Sequence, residues 1–250
     1  MRKREEVRDV LALARTGLGV AAIARRTGVP PTTVRRWVTG TPPAFVDPDA
    51  PTCPRCGHAR HERLDGWAYS YVLGLYLGDG HIASFPRTKC LRIYLDAAYP
   101  GIVAECVTAI GRLLPRNRVA VHGRTGCAIV QCYSRQWECL LPQHGPGHKH
   151  ARRIALRPWQ RAITGEHPQA LVRGLLQSDG TRIENQVVRN GKRYVYPRYQ
   201  FSNRSEDIKA VFCQHLDLLG IAWRRASAWN ISIARREAVA ALDAFVGPKR

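Results

Sequence analysis

A chain of 250 residues with 39 Lys and Arg against 19 Asp and Glu carries a formal net charge of +20 and a sequence pI near 10.4. A positive field that strong suits a polyphosphate partner and argues against a small-molecule enzyme. No apolar run approaches the roughly 20 residues of a membrane span, and Met1-Arg-Lys-Arg-Glu-Glu6 leads into no signal-peptide core, so the expectation is a cytoplasmic, nucleoid-associated protein with no membrane partner. Cys90, Cys106, Cys127, Cys132, Cys139 and Cys213 are scattered singly in apolar context and read as buried reduced thiols.

Residues 1–40 read as three helices. Glu5–Thr16 places Val7, Val10, Leu11 and Ala14 on one face. Gly17-Leu18-Gly19 makes a turn, and Val20–Arg26 is a short helix ended by Gly28. Pro31 then opens a third helix at the position where a missing N–H costs nothing. Helix, tight glycine turn, helix, with Val34 and Trp37 inward, resembles the helix-turn-helix of resolvases and transposon regulators. The resemblance implies that the third helix enters the major groove and presents Thr32, Arg35 and Arg36. A three-helix bundle for protein contact is the plainer reading, and the two adjacent arginines weigh against it.

Residues 41–65 form a Pro-rich linker, stiff and extended, that tethers this unit to the rest. Within it, Cys53-Pro-Arg-Cys56-Gly has the knuckle spacing of a structural zinc site, and His58 and His61 could complete four ligands. Distant ligands are open alternatives: Cys127, Cys132 and Cys139, or His144, His148 and His150. So is a metal-free turn with reduced thiols.

From residue 66 onward the chain repeats itself. Val72-Leu-Gly-Leu-Tyr-Leu-Gly-Asp-Gly80 and Val172-Arg-Gly-Leu-Leu-Gln-Ser-Asp-Gly180 each read as the last turns of a helix, with small residues four apart and a terminal Asp-Gly. Asp79 and Asp179 stand at the negative end of the helix dipole, where an acid is disfavoured. Small residues four apart let two helices approach closely, and two such helices side by side would bring both carboxylates to one end. Acids that close raise each other's pKa unless a cation lies among them. After each motif, Leu91–Ile102 aligns without gaps on Pro197–Ile208, and Val130–Trp137 corresponds to Ile231–Ala238. These matches indicate one internal duplication over 66–250, with repeat one at 66–141 and repeat two at 154–250.

The paired motifs resemble the LAGLIDADG homing endonuclease family. That resemblance implies an α+β fold: a duplicated pseudo-twofold αββαββα domain behind a small all-α helix-turn-helix domain, acting as a monomer. It implies site-specific binding and hydrolysis of double-stranded DNA, with Asp79 and Asp179 as catalytic residues holding Mg²⁺. Each curved sheet would lie in the major groove. The candidate reading strands are His81–Arg87 with Leu91–Leu95, and Thr181–Val188 with Arg193–Phe201. Their contact residues would be Arg87, Arg92, Arg182, Arg193 and Arg198, in a set that carries only Glu184 against its basic residues. The family adds a peripheral Lys or Gln that orders the attacking water. No lysine falls in the aligned positions, which leaves Arg135 with Gln136, and Arg235 with Arg236, as phosphate clamps rather than proton acceptors. The alternative is a helix-turn-helix transcriptional regulator on a non-cleaving LAGLIDADG scaffold, as in WhiA-like proteins. An RNA-splicing maturase is a weaker third reading, since the narrow major groove of A-form RNA excludes a reading helix.

Overall fold

The computed structural model describes residues 4–39, 64–247 and 249, with Arg4 and Arg189 described by their backbones alone. These residues fall into two compact units, one N-terminal and one from residue 64 onward. The expected zinc ligands Cys53, Cys56, His58 and His61, and nearly all of the linker, lie outside the described residues.

In the N-terminal unit α1 (Arg4–Arg15), α2 (Val20–Thr27) and α3 (Pro31–Thr39) follow the expected order. Val7, Val10, Ile23, Val29, Val34 and Trp37 form its core. Gly28 ends α2 with φ 68°, a left-handed conformation that glycine adopts without strain. Thr32, Arg35 and Arg36 project from the opposite side of α3 into solvent.

The second unit runs twice through the order helix, hairpin, helix, hairpin, helix. Repeat one is α4 (Gly66–Asp79), β1 (Gly80–Phe85), β2 (Thr88–Asp96), α5 (Pro100–Leu113), β3 (Val119–Arg124), β4 (Cys127–Tyr133) and α6 (Trp137–Leu140). A preceding helix α7 (Pro158–Glu166) introduces repeat two: α8 (Pro168–Asp179), β5 (Gly180–Arg189), β6 (Lys192–Ser202), α9 (Glu206–Leu218), β7 (Arg224–Arg225), β8 (Asn230–Ile233) and α10 (Arg236–Phe245). Each half forms an antiparallel four-stranded sheet with the same strand order, β1-β2-β4-β3 and β5-β6-β8-β7. Strand alternation turns Ile82, Leu91, Ile93, Leu95, Val130 and Cys132 in one half, and Tyr199, Phe201, Ile231 and Ile233 in the other, into a continuous core.

The core is built around α4 and α8. Ala68 through Leu77 of α4 are all buried, because this helix is enclosed by both halves and has no face left for water. Asp65 caps it, accepting from the Ala68 N–H at 2.9 Å, and Asp65 is held in turn by Arg112 at 2.6–2.7 Å. Contact between α4 and α8 depends on the small residues. A Cβ on Gly74 would stand 2.6 Å from the Leu171 carbonyl oxygen and 2.8 Å from the Leu175 nitrogen, and one on Gly174 would strike the Tyr71 carbonyl. Across the halves, Arg173 of α8 forks onto Glu105 of α5 at 2.7 Å through both nitrogens, a geometry that fixes orientation as well as charge.

Gly80 and Gly180 end α4 and α8, as the terminal Asp-Gly of each motif suggests, and the structure shows why each is glycine. Their φ values of −88° and −99° are extended, and each is the first residue of a strand. The glycines are needed because a Cβ would meet the preceding helical turn, 2.8 Å from the Tyr76 oxygen and 2.5 Å from the Leu176 oxygen. Four of the six scattered cysteines are buried as expected, while Cys127 and Cys139 are only partly covered.

Candidate functional site

Side-by-side packing of α4 and α8 brings Asp79 and Asp179 to the same end of the molecule, each half-buried. Burial raises the Asp79 carboxyl, against the opposing pull of Lys149 and Lys249. Asp179 is raised to about 6 by burial and by Asp79, with the Asn203 hydrogen bond and the two lysines working the other way. Each acid therefore registers the desolvated end of the helix pair, and for Asp179 the neighbouring acid adds to it.

Two clefts flank the pair. One, of about 410 Å³, joins Gly78, His81, His144, Lys149, Arg152, Asp179 and Asn203. The other, of about 340 Å³, joins Ser178, Thr181, Asp79, Asp96, Tyr99 and Lys249. The gapless alignment of 91–102 on 197–208 maps part of the wall of one cleft onto that of the other: Asp96 onto Ser202 and Ile102 onto Ile208. The duplication therefore extends to the site.

Lysines stand where the sequence reading foresees none. Lys149 Nζ donates to the carbonyls of Tyr76 (2.5 Å) and Gly78 (2.7 Å), and Lys249 Nζ approaches the carbonyl of Ser178 at 3.4 Å. Burial lowers the Lys149 ammonium to about 8, opposed by Asp179 and Asp79, and lowers Lys249 in the same sense. By contrast, Arg135, Gln136, Arg235 and Arg236 line neither cleft. Arg135 is exposed and donates to the Arg87 carbonyl at 3.1 Å, while Arg235 and Arg236 open α10 in solvent. A sequence signal for the lysines exists: each lies 70 positions after an acid, Asp79 to Lys149 and Asp179 to Lys249. Both fall outside the three aligned segments, which is why the alignment misses them.

Two carboxylates and the helix-end carbonyls of Gly78 and Ser178 make a hard-oxygen donor set, and both carbonyls now face ammonium groups. Such a set fits a divalent cation of the Mg²⁺ kind, which uses one or two carboxylates and leaves the rest of its shell to water and phosphate. Among the described residues no group of three or more His, Cys, Asp or Glu side chains could hold a metal. The expected zinc ligands Cys53, Cys56, His58 and His61 lie outside those residues.

The sheet faces turned away from the helices are the candidate DNA surface. His81, Arg92 and Gln131 lie in cross-strand register on one, Thr181, Gln200 and Ser232 on the other, with Arg198 opposite Ile183. Arg92 and Arg198, equivalent under the duplication, each keep a buried Nε without a hydrogen-bond partner. Arg87 is exposed at the β1–β2 turn. Arg182 and Arg193 are different. Arg182 pairs with Tyr199 and Arg193 with Val188, so both sit on the helix-side face, opposite to Arg198. Arg182 forks onto Asp243 of α10 at 2.8 and 2.9 Å, and Arg193 donates to Gln186. The period of two in a strand separates these residues, and reading all three as one contact set overlooks it.

The Homeodomain-like domain family matches residues 1–40. No curated protein matches the chain by sequence. Among solved structures, the homing endonuclease I-DmoI in complex with DNA and Mn is similar over 74% of this chain and 98% of that one, at 10% identity and a TM-score of 0.50. The N-terminal LAGLIDADG domain of DUF199/WhiA is similar over 74% and 84%, at 13% identity and a TM-score of 0.44. At such identities the likeness concerns the fold, and the α+β core of this chain has the duplicated LAGLIDADG fold behind an N-terminal helix-turn-helix unit.

Proposed function

We propose that the protein binds a specific site in double-stranded DNA and hydrolyses one phosphodiester in each strand. The observation that carries this reading is the pair of half-buried acids at the ends of α4 and α8, each in a cleft with a lysine and a helix-end carbonyl. A scaffold used only to hold DNA has no need of two acids whose proximity raises a pKa. Mg²⁺ held by Asp79 and Asp179 would polarise the scissile phosphate and lower the pKa of the attacking water. The protein's own groups do the rest. Gly78 and Ser178 would supply carbonyl ligands, and Lys149 and Lys249 would bring an ammonium into each cleft. An ammonium brought down to about 8 gives up a proton far more readily than an arginine in the same place.

Arg92, Arg198 and Arg87, with Thr32, Arg35 and Arg36 of the N-terminal unit, would contact phosphates and base edges. Dependence on salt should be steep, because a +20 chain neutralising many phosphates releases many counterions. Selection of a bound site from random duplex DNA, followed by incubation with Mg²⁺ or with chelator, tests the reading. Both strands are cut with the metal and neither without it. A selected site that is bound tightly but never nicked in Mg²⁺ or Mn²⁺ would instead favour a helix-turn-helix regulator on this scaffold.

A further inference from the structure

The two hairpins that follow the motif helices differ in reach. In repeat one β2 is joined to β4 from Cys90 to Asp96, so only the pairs Ser84↔Lys89 and Phe85↔Thr88 stand beyond the sheet. In repeat two β8 holds β6 only from Tyr199 to Ser202, which leaves seven pairs, Ile183↔Arg198 to Arg189↔Lys192, as a free two-stranded arm. At ~3.4 Å per residue the arm is about 24 Å long, and it exceeds the repeat-one hairpin by about 17 Å. Asn190 (φ 51°) and Gly191 (φ 69°) close it with two positive-φ residues, the turn that matches the right-handed twist of a hairpin.

Such an arm is barely stable in water by itself, yet it exposes Ile183, Val187, Val188, Tyr194, Val195 and Tyr196. That density of exposed apolar side chains marks a contact surface. Alternation sorts them: Ile183, Asn185 and Val187 share the face away from the helices with Tyr194, Tyr196 and Arg198, and the two tyrosine rings stack at 6.2 Å. The arm's partner is indicated by charge. β5 and β6 together hold Arg182, Arg189, Lys192, Arg193 and Arg198 against Glu184 alone. Two such arms from separate copies would repel one another, whereas a polyanion would be attracted.

We propose that this arm lengthens the DNA target on the repeat-two side only. Resting on the DNA-binding reading above, the arm lies along the major groove, where a two-stranded ribbon fits, and its extra reach covers about five base pairs at ~3.4 Å each. Its outward face is apolar and aromatic where the core sheets are polar, which suits thymine methyl groups. The target is therefore asymmetric about the cleavage centre, with a longer, thymine-preferring arm on one side.

Hydroxyl-radical footprinting of the full chain on DNA selected from a random pool tests this. The expected protection runs about five base pairs farther on one side of centre. A shortened variant, in which Asn185–Tyr196 is replaced by Asn-Gly, should lose that outer protection alone. Tyr194→Ser with Tyr196→Ser changes only exposed positions, so it should fold, and it should erase the thymine preference at the outer positions. A symmetric footprint, or outer protection that survives the shortening, overturns the proposal while leaving DNA binding intact. A self-association that the double serine variant abolishes would overturn it too, assigning the face to a second copy. Failure to select any bound DNA would instead overturn the DNA reading on which the proposal rests.

Discussion

Repeat one and repeat two share strand order, motif helices and a lysine 70 residues after each acid, yet they surround those acids differently. Asp179 accepts a hydrogen bond from Asn203 Nδ2 at 2.6 Å, and Asn203 is itself fixed through the Ser205 N–H (2.7 Å) and the Trp229 carbonyl (2.9 Å). The position aligned with Asn203 in repeat one is Ala97, which has no side-chain donor to offer Asp79. The cleft of Asp179 is lined by His81, His144, Lys149 and Arg152, and that of Asp79, among the described residues, by Asp96 and Lys249. Burial and the neighbouring Arg92, Lys149 and Arg152 hold His81 below its ordinary pKa. Duplication preserves the backbone frame and the closest helix contacts, while the walls of the two clefts have diverged in charge.

The largest effect should come from what the repeats share. Gly174→Val drives side-chain atoms into the Tyr71 carbonyl, and a cost of about 3 kcal/mol or more is expected, read as loss of cooperative melting. Gly111→Ala in α5, where nothing lies within 4 Å, should be neutral or stabilising by about 0.5–1 kcal/mol. Equal destabilisation by both would mean that the helix contact is not special.

A smaller effect separates the clefts. Asn203→Ala should slow cutting of the strand held in the cleft that Asn203 lines by about tenfold, the scale of one charge-assisted hydrogen bond, and slow the other strand less. Ala97→Asn should raise the rate at the Asp79 cleft. Equal slowing of both strands by Asn203→Ala would remove the asymmetry.

The pH dependence follows from Asp179. Its folded pKa of about 6 lies above that of an ordinary aspartate, so the folded protein holds this proton more tightly than the unfolded chain does. Ionisation therefore costs stability above pH ~6, and the cost is relieved as pH falls from about 6 to about 4. In metal-free protein Asp179→Asn should be more stable than the parent at pH 7–8, by about 1–2 kcal/mol, with the difference vanishing near pH 4. An advantage that instead grows toward pH 4 would contradict the assignment.

The smallest effect tests the two faces of β5–β6. Arg182→Ala should cost at most about 1 kcal/mol of stability through the half-exposed Asp243 pair and barely alter DNA affinity, whereas Arg198→Ala should weaken DNA binding measurably. The reverse ranking in a binding titration would turn the sheet over.

Much of this architecture is legible in the chain. The repeat of Asp-Gly after small residues four apart locates both acids and the helix contact, and the gapless match of 91–102 to 197–208 carries the topology of each half. Less legible are features set by alternation or by chain beyond the aligned blocks. Arg182, Arg193 and Arg198 read as one basic set until the register separates them. Lys149 lies in a Gly/Pro-punctuated connector and Lys249 beyond α10, where no periodicity points to an acid. Gly80 and Gly180 look like helix stops, and only the fold reveals that the following strand passes too close to its helix for a side chain.

The central claim is that Asp79 and Asp179 form one metal-dependent cutting centre. It is tested most directly by Asp79→Asn and Asp179→Asn on a selected target, with binding and strand scission measured side by side. Each variant should bind as tightly as the parent or slightly tighter, since a negative charge beside the phosphates has gone, and should lose Mg²⁺-dependent cleavage of both strands. Cleavage that persists in the double Asn variant would place the active site elsewhere and contradict the account.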